Sequence, residues 1–249
     1  MWTDVVDFRD FFETHRGQVA RQLIGQAIRE VWPDVRGQRL LGLGYPTPYL
    51  VPFEREAERT LAFMPATRGA LNWPSDRPGK VSLVEETALP LPDYSIDRVL
   101  LVHSLEYTHH LPEVMGEVWR VLTGEGRILV VAPNRMGLWA RADSTPLGWG
   151  HPYSASQLSR MLRDHGFTPA RTHRALYVPP TNLKTILGSA GAWERVCRRS
   201  FPRFSGAVLL EATKQIYAVN REKERRRVRK PVLVSIPKAA GQGLRRNSD

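Results

Sequence analysis

The amino-acid sequence predicts an α/β fold built around a parallel sheet, and one strand–helix–strand unit carries that prediction. Residues 98–103 are a short run of Val and Leu between polar turn residues, which is typical of a strand buried on both faces. Apolar residues recur every three or four positions over 111–122, as on one face of a helix, and we expect that helix to end at Gly124 and Gly126. A second apolar run at 127–132 completes the unit, so its strands should be parallel with a right-handed crossover.

Length and charge predict one domain followed by a tail. A chain of 249 residues with 42% hydrophobic side chains can form a single large α/β domain. We expect that domain at 1–220, with a helical cap at about 1–37, and a basic, flexible tail at 221–249. The tail holds ten Lys or Arg and three acids, so it accounts for +7 of the net charge of +11.

The composition argues against several classes of protein. No segment has the roughly eighteen uninterrupted apolar residues of a membrane span, and the acidic start MWTDVVDFRDFFETHRG lacks the apolar core of a signal peptide. Cys197 is the single cysteine, which excludes an internal disulfide framework, and we expect it to be buried as a small apolar residue. These observations predict a cytoplasmic protein with no membrane partner.

The remaining elements follow from periodicity and from Pro and Gly. We expect a helix at 16–32 ended by Pro33, a strand at 39–43, a helix at 49–59, a strand at 60–64, no full helix in the Pro- and Gly-containing stretch 66–80, and a third strand at 81–84. Beyond the central unit we expect a helix at 156–165, one or two helices at 182–199, and a long final strand at 208–219.

Several of these stretches resemble class I S-adenosylmethionine-dependent methyltransferases, in particular the type 11-like group. LPLPDYSIDRVLLVHSLEY followed by EVWRVLTGEGRILVVAPN is similar to the middle of that family, and PYSASQLSRMLRDHGFTPAR at 152–171 is similar to its segment before the sixth strand. About half of the chain, roughly 39–171, follows the pattern. The resemblance implies a Rossmann-like sheet of seven mostly parallel strands with helices on both faces and an antiparallel last strand.

By this resemblance, the loop after the first strand cradles the cofactor S-adenosylmethionine. The family has an acid two positions before its first loop glycine, whereas this chain has Gly42, then Gly44 and Tyr45, and places Pro46 and Pro48 where further glycines are usual. Proline has no N–H to offer a ligand and cannot adopt positive φ. Met64 stands where the family ends its second strand with a ribose-binding acid. Gly42, Gly44, Tyr45 and Met64 are therefore candidate cofactor residues of an altered site.

The resemblance assigns the adenine end of the cofactor to residues that follow the third strand. Glu85 or Glu86 matches the acid that accepts from the adenine amino group, and Leu89 matches the apolar residue beside the ring. An equally acceptable interpretation is a pair of solvent-exposed glutamates at a strand end. His103, at the end of the fourth strand, is the candidate catalytic base or orienting group, and a structural histidine is its alternative.

By the same resemblance, the aromatic loop after the fifth strand is expected to form one wall of the pocket for the methyl acceptor. Its members are Trp139, Trp149, His151 and Tyr153, for which surface packing is the alternative role. His109 and His110 are adjacent and lack the i, i+4 spacing that directs two helical histidines to one metal, so we expect no metal site.

Three functional hypotheses remain open at this point. The first is a methyltransferase that uses S-adenosylmethionine and acts on an unidentified acceptor. The second is a degenerate methyltransferase fold that serves as a binding or regulatory subunit for a protein partner, because Gly42, Pro46, Pro48 and Met64 replace polar or close backbone contacts. The third and weaker hypothesis is RNA binding or RNA methylation through the tail at 221–249.

Overall fold

Seven strands form one sheet in the part of the chain that the structure describes. The computed structural model describes residues 4–216 except 75 and 77. The strands are β1 Arg39–Gly44, β2 Arg59–Pro65, β3 Val81–Val84, β4 Ile96–Val102, β5 Leu122–Pro133, β6 Phe167–Ala175 and β7 Ala207–Lys214. Their order is β3-β2-β1-β4-β5-β7-β6, and β7 runs antiparallel to both β5 and β6. The predicted Rossmann-like sheet with an antiparallel last strand is therefore confirmed.

Helices cover the sheet on both faces. They are α1 Val5–Glu13, α2 His15–Val31, α3 Thr47–Leu50, α4 Leu111–Val121, α5 Ala155–Asp164, α6 Lys184–Gly188 and α7 Ala190–Ser200. Thr14 separates α1 from α2 and accepts a hydrogen bond from the Gly17 amide at the start of α2. Ser154 and Gln157 form a capping box that starts α5.

Alternate strand residues divide the core into two layers, as the pleat of a sheet requires. Leu100 and Val102 of β4 face the layer under α1 and α2, whereas Val99 and Leu101 face the layer under α4 and α5. The sheet thus has both faces buried, which explains why the strands read as unbroken apolar runs.

Two expected helix boundaries were wrong. The helix expected at 49–59 is only α3 and a short 3-10 turn, Val51–Phe53, because Pro46, Pro48 and Pro52 favour a compact turn over a long helix. The expected end of α4 at Gly124 and Gly126 was also wrong. The helix ends at Val121, and β5 begins at once with Leu122, so both glycines lie inside a strand.

The final strand is shorter than expected and ends at Lys214. The expected tail at 221–249, and with it the nucleic-acid hypothesis, lies outside the described residues. The boundary at 220 stays a prediction, and α1 and α2 fall within the segment expected to form a helical cap. Within residues 4–216, apart from the two gaps, no helix has the length and apolar character needed to cross a bilayer.

Candidate cofactor and active site

The loop after β1 packs against the protein itself. Gly44 has a φ of 101°, and a Cβ on it would lie 2.3 Å from the carbonyl oxygen of Val102 in β4. A Cβ on Gly42 would lie 2.4 Å from Cβ of Pro46, so the proline ring occupies the space of a side chain at position 42. The Tyr45 amide donates to the Val102 carbonyl at 2.9 Å. Both glycines therefore serve close packing within the chain, and the amide at position 45 already has an acceptor.

Aromatic side chains of α1 cover this loop and the end of β4. The Phe8 ring centroid lies 5.2 Å from that of Tyr45 and 5.2 Å from that of His103. Phe12 stacks on Tyr45 at 5.8 Å with 9° between the planes, and it lies 5.7 Å from His103. All four side chains are buried, and burial raises the pKa of Tyr45 to about 12. α1 therefore closes the carboxyl ends of β1 and β4, where the resemblance places the cofactor loop and the transferable methyl group.

Arg68, which follows β2, connects α1 to the end of β4. Its carbonyl oxygen accepts from the amide of Val5 at the start of α1, at 3.0 Å. Its guanidinium donates to the carbonyl oxygen of His103 at 2.8 Å and lies 4.4 Å from the centroid of the Tyr107 ring. The position of α1 is thus linked to the residues that follow β4.

His103 and Glu106 form a buried polar pair at the end of β4. Nδ1 of His103 lies 3.2 Å from Oε1 of Glu106, and the two residues are 2% and 1% exposed. Nε2 of His103 and Oε2 of Glu106 are buried without a hydrogen-bond partner among the described residues. His103 also has a φ of 51°, which is uncommon for a residue with a side chain. Buried polar atoms without partners are costly, and such clusters occur preferentially at functional sites.

A cavity of about 500 Å³ opens beside this pair, at the carboxyl ends of β2, β3 and β4. Glu85, Glu86, Glu106 and Arg68 lie in its wall. Oε1 of Glu86 accepts from the Ser104 hydroxyl at 3.3 Å, and burial raises the pKa of the Glu86 carboxyl. The structure therefore brings the two glutamates after β3 to the same cavity as the His103 partner, Glu106.

Trp149 and His151 also line this cavity. The His151 amide donates to the carbonyl oxygen of Glu106 at 2.8 Å, so the loop after β5 is fixed directly to the buried pair. A Cβ on Gly150 would lie 2.3 Å from the same carbonyl oxygen, which shows how closely the two segments approach. His109 and His110 lie exposed at the cavity rim.

Other predicted residues lie outside the cavity wall. Trp139 is 1% exposed, and its Nε1 donates to the carbonyl oxygen of Val178 at 2.6 Å. Tyr153 is half-buried with its hydroxyl 3.4 Å from the Leu105 carbonyl oxygen. Met64 and Leu89 are core residues of opposite layers. These four side chains contribute packing beneath or beside the site.

Sequence reasoning gave no site role to Arg68, Ser104 or Glu106. The His103 and Glu106 spacing of three residues after a buried strand is a signal that would have found the pair, since both follow the carboxyl end of the same strand. Arg68 lies in a stretch rich in turns, where spacing carries no such signal. The aromatic residues Phe8, Phe11 and Phe12 are visible in the sequence, but the position of Phe8 and Phe12 over His103 depends on the tertiary structure.

Known proteins match this chain over its centre by sequence and over most of its length by structure. A family described as a methyltransferase domain matches residues 66–130. A probable S-adenosylmethionine-dependent methyltransferase of Mycobacterium tuberculosis, found in two strains, is 36% identical over 81 residues, which are 32% of this chain and 29% of that protein. The match thus spans less than a third of the curated relative's length.

Solved structures extend the likeness to the whole fold. A Thermotoga maritima methyltransferase, described as a possible histamine N-methyltransferase, superposes with a TM-score of 0.64 and 17% identity, over 85% of this chain and 96% of that one. The [4+2]-cyclase SpnF superposes with a TM-score of 0.54 and 20% identity, over 80% of this chain and 82% of that one. At these identities the structures show the shared fold alone. Together, the domain match over residues 66–130 and this sheet topology show that the chain has the fold of class I S-adenosylmethionine-dependent methyltransferases and is similar to that family over its centre.

Proposed function

We propose that the chain is a methyltransferase that uses S-adenosylmethionine and binds it when α1 moves away from the carboxyl ends of β1 and β4. The observation that carries this proposal is the buried pair of His103 and Glu106, next to a cavity, in which Nε2 and Oε2 have no hydrogen-bond partner in the part of the chain that the structure describes. A fold kept only as a scaffold has no use for two unsatisfied polar atoms in its core, because each costs stability.

The adenosine half of S-adenosylmethionine fits the cavity. About 500 Å³ is within the usual range for a small-molecule site. Glu85 and Glu86 lie in its wall after β3, where the family accepts hydrogen bonds from the adenine amino group. A glutamate that is already desolvated makes a stronger hydrogen bond to a neutral donor than an exposed one does.

The methionine half does not fit while α1 is in place. The Phe8 and Phe12 rings cover Tyr45 and His103. α1 is joined to α2 through Thr14 alone, which has extended backbone angles, so α1 can swing at one residue without unwinding either helix. Swinging α1 would also break the Val5 contact to Arg68 and remove the Phe8 and Phe12 rings from His103.

The chemistry expected of this chain is modest. S-adenosylmethionine supplies a methyl group that its sulfonium already activates. Glu106 orients the His103 ring through Nδ1, which leaves Nε2 to accept a proton from an acceptor that carries N–H or O–H. Trp149 and His151 line the cavity beside the pair and are proposed to contact the acceptor.

Calorimetric titration tests this proposal directly. Full-length protein, first checked for co-purified cofactor, is titrated with S-adenosylmethionine, S-adenosylhomocysteine and adenosine. We expect micromolar binding of the two cofactor forms and weaker binding of adenosine. A folded protein that binds none of the three at millimolar concentration would refute the proposal.

A second candidate function is a binding or regulatory subunit that has lost the cofactor. The observation that favours it is the packing of Pro46 on Gly42, which removes the loop acid and fills its space. The cyclase that shares the fold illustrates that methyltransferase topology is compatible with other activities. Under this alternative, α1 stays closed, adenosine alone binds, and the protein is recovered in a stable complex with a protein partner.

A further inference from the structure

Large apolar side chains are exposed on two segments near the end of β5. They are Met136 and Leu138 after β5, and Leu183, Trp193, Val196, Phe201 and Phe204 on the segment from α6 to the 3-10 turn Pro202–Phe204. These are seven of the twelve large apolar side chains that are exposed among the described residues. Val196 is 61% exposed and Phe201 57%. Single exposed apolar residues are ordinary, whereas a cluster of them marks an interaction surface.

Hydrogen bonds hold the two segments side by side. The Asn134 side chain donates to the carbonyl oxygens of Arg203 at 2.9 Å and Ser205 at 2.8 Å. A Cβ on Gly137 would lie 2.2 Å from the Ser205 carbonyl oxygen, so the loop that carries Met136 and Leu138 rests against the backbone that follows Phe204. The loop after β5 therefore adjoins the end of the segment that carries α7, and we call the seven exposed side chains of the two segments the α7 surface.

The helix α7 divides this surface into an apolar and a basic side. Its inward positions are Ala190 and Glu194, which are buried, and Cys197, which is half-buried rather than fully buried as the sequence suggested. At 100° per residue, Trp193 and Val196 lie to one side of that inward line, and Arg195 and Arg198 lie to the other. Such a division is typical of a helix that lies on an interface.

The exposed charges of the α7 surface are positive. They belong to Arg135, Lys184, Arg195, Arg198, Arg199 and Arg203, and Arg198 is paired with Glu30 at 2.9 Å. Residues 183–204 contain one acidic residue, Glu194. It is buried, and its carboxylate accepts hydrogen bonds from the amides of Leu176 and Tyr177. A partner must therefore be anionic as well as able to cover apolar groups. The basic tail and a second copy of this chain both carry the wrong sign of charge.

We propose that the α7 surface docks on an anionic lipid bilayer, with its apolar side chains at the level of the headgroups and its cations against the lipid phosphates. Three of the seven side chains are aromatic, but the other four, Met136, Leu138, Leu183 and Val196, have no flat face on which a base could stack, which favours lipid over nucleic acid. The sequence argued against a membrane partner from the absence of a spanning segment, and that argument does not apply to a surface that only lies on the bilayer.

Docking would bring the edge of the sheet that carries the candidate site toward the bilayer. Phe204 is followed by Ser205 and Gly206, and β7 then begins with Ala207, which pairs with Pro133 at the carboxyl end of β5. The candidate site lies at the same edge, after β2, β3 and β4. An acceptor dissolved in lipid could then reach the site without crossing bulk water.

Vesicle sedimentation with the full chain tests the proposal. The vesicles contain phosphatidylcholine with or without phosphatidylglycerol, and the double variant Val196→Ser with Phe204→Ser is compared with the unchanged chain. Because serine adds no charge, any attraction by the basic tail stays the same. We expect binding to the anionic vesicles and a loss of about tenfold or more in the double variant. Val51→Ser is the matched control, since Val51 is 55% exposed on another part of the surface.

Two results would overturn the proposal. One is absence of binding to anionic vesicles, which would leave an acidic protein as the partner. The other is equal binding by the double variant, which would assign the attraction to charge alone. Calorimetry with S-adenosylmethionine is independent of both results, so failure of the docking proposal and failure of the proposed methyl transfer are distinguishable.

Discussion

The ring of Pro46 stands where a side chain on residue 42 would have to lie, with the two Cβ positions 2.4 Å apart. Cδ1 of Leu50 closes the same space at 2.8 Å. The missing loop acid and the proline in the loop are therefore structurally linked, because the family's acid could not be restored at position 42 while the ring of Pro46 fills that space.

This relationship predicts strong coupling between the two positions. Gly42→Asp alone should destabilise the fold by about 2 kcal/mol or more, because it overpacks a site with no free space. The double variant Gly42→Asp with Pro46→Gly should cost less than the sum of the single changes, which urea unfolding would measure as a coupling energy. Gly25→Ala is the control: it lies in α2 with its nearest contact at 4.0 Å, so alanine should stabilise. Additive single effects would show that the two positions are independent.

Removing an aromatic ring from α1 should change stability and cofactor affinity in opposite directions. Phe12→Ala should lower the unfolding free energy by about 3 kcal/mol, as usual for a buried phenylalanine. It should also raise the affinity for S-adenosylmethionine by roughly tenfold, because less energy is needed to open α1. Phe167→Ala is the matched control, because Phe167 is fully buried at the start of β6 in the opposite core layer. This variant should lose stability without gaining affinity for S-adenosylmethionine. A similar affinity in both variants would show that α1 does not limit binding.

The sequence predicted the sheet well because the central strands are buried on both faces. The unbroken apolar runs at 98–103 and 127–132 predicted two neighbouring buried strands, and the structure forms β4 and β5 there. The element boundaries that were wrongly predicted lie where tertiary contacts determine where a helix ends. Gly124 and Gly126 were assigned to a helix end, yet α4 passes into β5 without any linker residue.

The site was only partly predictable for the same reason. His103, Glu85 and Glu86 follow strand ends, and strand ends meet at one edge of a parallel sheet, so their location could be inferred. Nothing in the spacing of Phe8 and Phe12 indicates that they lie over His103, because α1 reaches the sheet edge through the turn at Thr14. The same applies to Arg68, whose contacts reach two distant segments, the start of α1 and the residues after β4.

The two members of the buried pair should differ in their cost of removal. Glu106→Gln keeps the shape of the side chain and removes a carboxylate whose Oε2 is buried without a hydrogen-bond partner among the described residues, so stability at neutral pH should be unchanged or higher. His103→Ala leaves the Glu106 carboxylate buried without its partner, and it should cost about 3 kcal/mol. Chemical unfolding at neutral pH measures both values. Equal losses in the two variants would indicate ordinary packing instead of a strained polar pair.

Asp97 should make the fold depend on pH at the acid end. The Arg39 guanidinium and amide hydrogen-bond its carboxylate, and the Arg39 side chain holds the pKa of Asp97 below its usual value. A lowered folded pKa stabilises the fold above the unfolded pKa, and the contribution is lost as the pH falls through the folded value. The loss of stability caused by Asp97→Asn should therefore be largest at neutral pH and shrink below about pH 4. A loss that is constant with pH would contradict this assignment.

Glu86 should show the opposite dependence. Burial in the cavity wall raises the pKa of its carboxyl, although Arg68 and the Ser104 hydroxyl both act to lower it. A raised folded pKa means that the folded protein holds the proton more tightly, so this stabilising contribution is present in acid and is lost as the pH rises through the folded value. Glu86→Gln should therefore have little effect at acid pH and should stabilise the protein toward neutral pH. Unfolding by urea at a series of pH values measures the difference, and Asp97→Asn provides an internal standard of opposite sign. If Glu86→Gln destabilises the protein most at neutral pH, the carboxylate is stabilised where it lies, and the cavity wall is already well suited to a charged group.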